Sequence, residues 1–320
     1  MVARAGSRGA FREGRDDLEI YAGIRLSTKD VERGAEEVGK QIEAWQQQEC
    51  RCSTPAESSE PTIPTLYIAY DGTGVPMIRR ELVGRAGKQG DGTAKTREAK
   101  LGCVFTQTST DDRGLPVRDP GSTSFVGAIE SVDTFGPRIH DEALRRGLDR
   151  AQRTVVLGDG ALWIRSIAQE YFPEAIHIVD LYHAREHVAA LTALLFAADS
   201  AKKLRARFRW WALLDQGKLE QIVQEARREL PEDALLLKKA TNEINYLEDN
   251  RDRMRYAQFR SQGLFVGSGV IEAGCKSLVG LRLKQSGMHW SLGGANAIIA
   301  LRCAHLSARF EDFWESRCAA

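Results

Sequence analysis

The feature that most limits what this chain can fold into is a run of β-forming apolar residues that stops at Asp-Gly. Two further runs of the same kind follow it, and then strand and helix signals alternate. Leu66-Tyr67-Ile68-Ala69-Tyr70 ends at Asp71-Gly72-Thr73-Gly74, and residues 98–107 and 122–130 read as two more strands separated by polar, turn-rich sequence. Three strands in succession favour antiparallel pairing. Residues 138–150 then read as a helix, residues 154–157 as a short buried strand ending at Gly158-Asp159-Gly160, and residues 162–171 as a helix. Residues 175–179 form a strand that ends at Asp180, and a long helix starts at Leu181. The order β-β-β-α-β-α-β-α specifies an α/β fold, a mixed sheet with helices on its faces.

The flanking sequence divides the chain further. Residues 1–60 hold nine Lys/Arg against twelve Asp/Glu, with a patchy helical pattern over 28–48 and a loop-like stretch over 52–64, which predicts a helical appendage and linker. Residues 61–190 form the first part of the α/β core, and residues 191–262 a helical insertion with a new helix starting after Pro231. Residues 263–320 return to the core. In that last part Leu264-Phe265-Val266 is strand-like, Ser268 is placed to cap a helix carrying Glu272, and residues 295–314 are helical. A length of 320 residues fits about two units with their own cores. No run approaches the ~18 consecutive apolar residues of a membrane span. Arg4, Arg8, Arg12 and Arg15 have no apolar core behind them, unlike a secretory signal, and the six cysteines are dispersed. Cys50-Arg51-Cys52 is too tightly spaced to chelate one zinc well. Together these predict a reducing, cytoplasmic setting.

Two predicted strands stop at an Asp followed by Gly, at Asp71 and Asp159, and Glu272 falls near the start of a helix beside Gly-rich backbone. Strand ends on one edge of an α/β sheet expose side chains on rigid backbone. Three carboxylates held this way can bind two Mg²⁺ ions about 3.5–4 Å apart, an arrangement that activates a hydroxyl and stabilises the leaving oxygen in phosphoryl transfer. Each Asp-Gly pair alone is equally a common turn.

The motifs around these acids carry a resemblance. Tyr70-Asp71-Gly72-Thr73-Gly74-Val75-Pro76-Met77, Arg97-Glu98-Ala99-Lys100-Leu101-Gly102, Val126-Gly127-Ala128-Ile129-Glu130, Leu157-Gly158-Asp159-Gly160-Ala161, residues 178–187 and Gly267-Ser268-Gly269-Val270-Ile271-Glu272 together resemble bacterial insertion-sequence transposases of the ISKra family. The resemblance runs from about Asp17 to Arg317. It implies an RNase H-like fold with a helical insertion before the last acid, and chemistry of the DDE type: metal-dependent DNA cleavage followed by transfer of the freed 3′-OH to target DNA. Asp71 and Asp159 are then the two aspartates and Glu272 the glutamate, 88 and 113 residues apart. Mg²⁺ or Mn²⁺, two ions, is the implied cofactor. The implied partners are transposon ends and target DNA, bound by a homodimer or higher oligomer, and the implied location is the nucleoid-associated cytoplasm. Family members usually carry a longer N-terminal region, so the resemblance implies a shortened N-terminus here. A DNA-binding remnant without transposition activity is the alternative within the same class.

Asp180-Leu181-Tyr182-His183 is similar to the Asp/Cys-x-x-His element of Mutator-like transposases. Asp180 and His183 share a helix face, so His183 is expected to orient the scissile phosphate or the nucleophile and Asp180 to position His183; a plain helix cap is the other reading. His183-Ala184-Arg185-Glu186-His187 also fits H-x-x-E-H, the inverted zinc-protease signature, with Glu243 or Glu248 as candidate third ligands. That alternative leaves Asp71, Asp159 and Glu272 without a role.

A formal net charge of +1 announces no nucleic-acid partner, but the charge is unevenly placed. Residues 251–290 carry Arg251, Arg253, Arg255, Arg260, Lys276, Arg282 and Lys284 against two acids, and residues 76–103 carry Arg79, Arg80, Arg85, Lys88, Lys95, Arg97 and Lys100 against three. Both stretches flank the proposed acids. Arg97, Lys100, Arg255, Arg260, Lys276, Arg282 and Lys284 are therefore candidate phosphate contacts, with a solvated surface charge as the competing reading for each. His289 and Trp290 follow the basic stretch, where Trp290 either stacks on an unpaired base or packs in the core. Arg209-Trp210-Trp211 reads as packing.

Overall fold

The computed structural model describes residues 1–52, 61–87 and 92–318. In chain order the helices and strands begin with α1 (Val2–Arg8), α2 (Phe11–Ala22), α3 (Thr28–Cys52), β1 (Thr65–Pro76) and β2 (Thr96–Gln107). Next come β3 (Ser109–Thr110), β4 (Pro116–Val117), β5 (Ser124–Ala128), α4 (Val132–Arg145), β6 (Thr154–Gly158), α5 (Leu162–Tyr171) and β7 (Ile176–Val179). The helices α6 (Leu181–Leu195), α7 (Ser200–Asp215), α8 (Leu219–Arg228), α9 (Ala234–Asp249) and α10 (Tyr256–Ser261) follow, then α11 (Gly269–Cys275), α12 (Leu281–Leu283), α13 (Leu292–Leu306) and α14 (Phe310–Cys318). The architecture is mixed α/β. Two compact units share the chain: residues 1–106, 119–152 and 269–320 form the first, and residues 107–118 and 153–268 the second.

In the first unit the strand order is β5-β2-β1, with β2 and β5 antiparallel and Lys100 opposite Ala128. Consecutive residues Leu66–Tyr70 are all buried, as in a strand covered on both faces, and the Tyr67 and Phe105 rings stack at 4.8 Å. The backbone N–H groups of Phe125 and Ile129, on and just past β5, donate to Ser307 and Asn296 of the α13 region, at 2.8 Å each. These side chains give the edge strand's donors partners that a further strand would otherwise supply. Nearly every position of α13 from Gly294 to Ala304 is buried, the signature of a helix enclosed on all sides. It packs against α3, where Gly39 meets Ala297; Val31, Ala35 and Ile42 are buried along the same face of α3, the first two against Gly6 of α1.

His305, near the end of α13, stacks on Phe310 at 3.9 Å. Burial, with Arg4, Arg302 and Arg8 adding to it, pushes its pKa down to about 4. An unfolded histidine titrates near 6.5, so between these values the unfolded chain holds the extra proton, and stability falls as pH drops from about 6.5 toward 4. Thermal melts from pH 7 to 4.5 are expected to show a smaller decline for His305→Phe than for the wild type. Parallel declines would contradict the assignment.

In the second unit β6 and β7 pair in parallel, Val155 opposite Ile176 and Gly158 opposite Val179, with α5 as the connection a parallel pair requires. The Asp180 amide extends this ladder by donating to Gly158 O at 2.7 Å, and α6 starts at the next residue. The short β3–β4 ladder pairs Ser109 with Val117, and Gln107 Nε2 donates to Gly263 O at 2.9 Å. Trp210 is 2% exposed and its indole donates to Glu225 at 2.7 Å, while Trp211 donates to Arg185 O, so this segment packs as expected. Asp233 caps α9 through the amides of Leu235 and Leu236, which leaves Pro231 just outside the helix.

Several expectations are corrected. β1 does not end at Asp71 but runs on to Pro76. α4 starts at Val132, six residues before the expected start, because Ser131 caps it by accepting from the Thr134 amide, and it tolerates Pro137 inside. Residues 264–266 form no strand; Val266 O instead accepts from the Leu181 amide at 2.9 Å. Residues 53–60 of the expected linker lie outside the described residues, as do the side chains of Cys50 and Cys52. Cys103, Cys275 and Cys303 are free and buried, and Cys318 is free and exposed. Among the described residues no helix is long and apolar enough to cross a membrane.

Candidate functional site

Asp71 and Glu272 belong to the first unit. Asp71 sits within β1, where its Oδ1 accepts from the Gly72 amide at 2.7 Å. Helix α11 packs on β1, and the Cys275 thiol hydrogen-bonds to the Asp71 carboxylate. Burial and this neighbouring carboxylate push the Cys275 pKa up, so the thiol stays protonated and able to donate. Glu272 precedes Cys275 by three residues and so shares its face of the helix, exposed where Cys275 is buried. Thr73 lies two residues beyond Asp71 on the same strand face and accepts from Lys284 Nζ at 2.5 Å. One strand face thus carries an acid, a neighbouring helix with a second acid, and a cation.

Glu98 of β2 was not singled out as a site residue, though it falls in one of the sequence motifs. A Cβ on Gly72 would stand 2.7 Å from Glu98 Oε1, so this carboxylate lies against the Asp71-Gly72 step. Only a glycine lets the strand and that side chain approach so closely.

Asp159, Asp180 and His183 belong to the second unit. Asp159 follows β6, its Oδ1 accepting from the Ala161 amide at 2.8 Å in a local turn and its carbonyl from the Tyr246 hydroxyl at 2.7 Å. Gly160 has φ +80° and would place a Cβ 2.7 Å from that hydroxyl, so glycine is required there twice over. Burial and the nearby Asp159 charge raise the Tyr246 pKa, which keeps the phenol a donor.

Asp180 is 2% exposed, and both its oxygens are engaged: Oδ1 accepts from the His183 amide at 2.7 Å and Oδ2 from the Ser268 amide. It therefore caps α6 and ties residues 266–268 to the helix start, through backbone rather than through the imidazole. The His183 ring meets His187, Nε2 to Nε2 at 3.2 Å, and its Nδ1 is 3.5 Å from Glu186. His187 Nδ1 is 2.6 Å from Glu243 Oε2, and Tyr246 stacks on the His187 ring at 3.6 Å. Tyr246 was missed in the sequence because α9 reads as an ordinary amphipathic helix; only the tertiary contact singles it out.

The three-ligand set of a zinc protease is not formed. Glu243 lies on Nδ1 of His187, away from the nitrogen facing His183, and Glu248 pairs with Arg227 at 2.9 Å. Among the described residues no three His, Cys, Asp or Glu side chains group so as to hold a metal ion.

Four of the expected DNA contacts are covered. Arg282 is fully buried, donating through Nε and Nη2 to Gly6 O at 3.1 and 2.9 Å, with its guanidinium 4.4 Å from the Phe11 ring and 5.0 Å from the Trp290 ring. Trp290 is 6% exposed and donates to Leu283 O, so it is core and no platform for a base. Lys100 is buried and donates to Glu130 O at 3.0 Å. Arg97 is mostly covered, 3.8 Å from Glu81. Lys276, Lys284, His289, Arg255 and Arg260 are exposed, the last two beside Asp252 and Asp215. Lys88 lies outside the described residues.

No family model matches the chain, and no curated protein matches it. Among solved structures, a chain of the Drosophila P element transposase strand transfer complex resembles it with a TM-score of 0.41 and 9% identity, over 98% of this chain and 92% of that one. The reading that follows is built on the residues of the two units.

Proposed function

We propose that this protein is a metal-dependent polynucleotidyl transferase of the transposase kind, cleaving DNA at the ends of a mobile element and joining the freed 3′-OH to target DNA. The observation that carries the reading is the meeting of Asp71 with the Glu272-bearing helix: residues 201 apart in sequence share one unit, through α11 packed on β1 and the Cys275 contact. Asp159 adds a third acid where β6 ends, the position at which parallel strands present reacting groups.

The donor chemistry suits a hard cation, since all three side chains offer only carboxylate oxygen. Asp71 and Glu272 of the first unit and Asp159 of the second are the carboxylates assigned to Mg²⁺ or Mn²⁺, which when bound would neutralise charge developing on the phosphate and favour ionisation of the attacking hydroxyl. The chain's own residues do the rest. Asp180 fixes the start of α6 and thereby His183, which is assigned to orient the phosphate. Lys276, Lys284, His289, Arg255 and Arg260 are the exposed groups assigned to hold the DNA backbone. An RNase H-like assignment is supported by the β5-β2-β1 order, the parallel β6–β7 pair and the helices α7–α10 preceding Glu272. Two DNA ends must be joined, so a dimer on DNA is part of the proposal.

Nicking of supercoiled plasmid tests it. Open circles are expected with Mg²⁺ or Mn²⁺ and not with Ca²⁺ or chelator; equal nicking in chelator would sink the proposal.

A further inference from the structure

We propose that His183 and His187 form a binding site for one borderline divalent transition ion, Zn²⁺ by its chemistry, separate from the carboxylate-bound Mg²⁺ of the proposed reaction. The two residues lie four apart on α6, so helical geometry puts them on one face. His187 holds Nδ1 against Glu243 Oε2 at 2.6 Å, while Glu186 Oε2 lies 3.5 Å from His183 Nδ1, beyond hydrogen-bond reach. A neutral imidazole that donates from Nδ1 keeps a lone pair on Nε2. The two Nε2 atoms face each other at 3.2 Å, close enough to share one cation, a metal ion or a proton.

The ring geometry favours a shared ion. Two imidazole nitrogens bound to one Zn²⁺ at about 2.05 Å, with a bond angle near 103°, lie about 3.2 Å apart and put their ring centroids about 5.0 Å apart. Here the centroids are 4.9 Å apart, with the ring planes at 78°. Glu243 on His187 Nδ1 supplies the outer layer that usually orients a metal-bound histidine and raises its basicity. Tyr246, stacked on His187, holds that ring in place. Nitrogen donors select a borderline ion over Mg²⁺. With two protein ligands, the remaining positions on the ion belong to water.

Zinc titration of the full chain after chelator treatment, followed by calorimetry, tests the site. The wild type is expected to bind one more equivalent of Zn²⁺ than the His183→Gln/His187→Gln double variant, a difference that discounts any zinc held by cysteines. Glu243→Gln is expected to keep the equivalent and weaken it about 10–100-fold. Millimolar Mg²⁺ is expected not to displace it. The rings are only partly covered and glutamine remains polar, and circular dichroism establishes that each variant is folded. Equal numbers of equivalents in wild type and double variant would overturn the site, leaving a proton shared between the rings. Because the readout is metal stoichiometry, failure here leaves plasmid nicking untouched, and failure of nicking leaves this site standing.

Discussion

Asp159→Asn is expected to lower Mg²⁺-dependent DNA nicking by about 10³-fold or more while leaving the protein folded. The side chain has two separable roles. Its structural role is to accept from the Ala161 amide, and an asparagine Oδ1 can accept the same bond. Its chemical role is the negative charge that would hold a divalent ion, and asparagine lacks it. Metal stabilisation of the charge developing on a phosphate is worth several kcal/mol, and about 1.4 kcal/mol is a factor of ten in rate. Asp71→Asn is expected to behave alike, since its Oδ1 can still accept from Gly72 and its neighbour Cys275 is a donor. Glu272→Gln alters an exposed side chain and is expected to spare stability most. Asp180 separates the roles poorly: it is buried and bound at both oxygens, so Asp180→Ala removes a helix cap worth about 1 kcal/mol and strands the Ser268 amide as well. Full activity in Asp159→Asn would show that the carboxylate is merely a turn residue.

The largest expected effect on stability is at Gly39. A Cβ there would stand 2.1 Å from Ala297 O and 2.6 Å from its carbonyl carbon, both backbone atoms of α13. Backbone inside an enclosed helix has no rotamer to move to, so Gly39→Val must push α3 and α13 apart along the buried face of Val31, Ala35 and Ile42. A loss of about 3 kcal/mol or more is expected, read as a lower denaturant midpoint. Gly34→Ala is the control on the same helix. Its Cβ would meet only the Cγ1 tip of Val2 at 2.9 Å, a side chain that can turn aside, and alanine gains about 1 kcal/mol of helix propensity over glycine. Gly34→Ala is therefore expected to be neutral or stabilising. Equal losses at the two positions would mean that the close approach of α3 to α13 is not what Gly39 serves.

The strand cores around Leu66–Tyr70, Leu101–Phe105 and Val155–Leu157 were legible because apolar runs of that length leave few alternatives. The end of β1 was not. Asp71-Gly72-Thr73-Gly74 has the composition of a turn, yet Gly72 and Gly74 lie against Glu98 and Thr96 of β2, where a Cβ would stand 2.7 and 2.9 Å from them, so the glycines serve close strand packing. Arg282 read as a surface charge and Trp290 as either stacking or core because nothing near them in sequence reveals that Gly6 and Phe11, some 280 residues earlier, cover them. The same holds for Tyr246, whose partners sit on α6 and beside β6. Local pattern reports an element's period and its ends; the long-range partners that decide burial leave no mark on it. Asp71 and Asp159 drew attention because each stands beside glycine, and glycine marks where backbone must come close; Glu272, between Ile271 and Ala273, was picked out by the resemblance and by the helix start that Ser268 marks.

Strand joining tests the central claim most directly. The full chain is incubated with an end-labelled duplex bearing a free 3′-OH, a supercoiled plasmid and Mn²⁺, and the label recovered in plasmid DNA is measured for wild type and for Asp159→Asn. Labelled plasmid with the wild type and none with the variant is the predicted result. Equal labelling by the two proteins, or nicking by both with no joining by either, would contradict the assignment of Asp71, Asp159 and Glu272 as the centre of a strand-transfer enzyme.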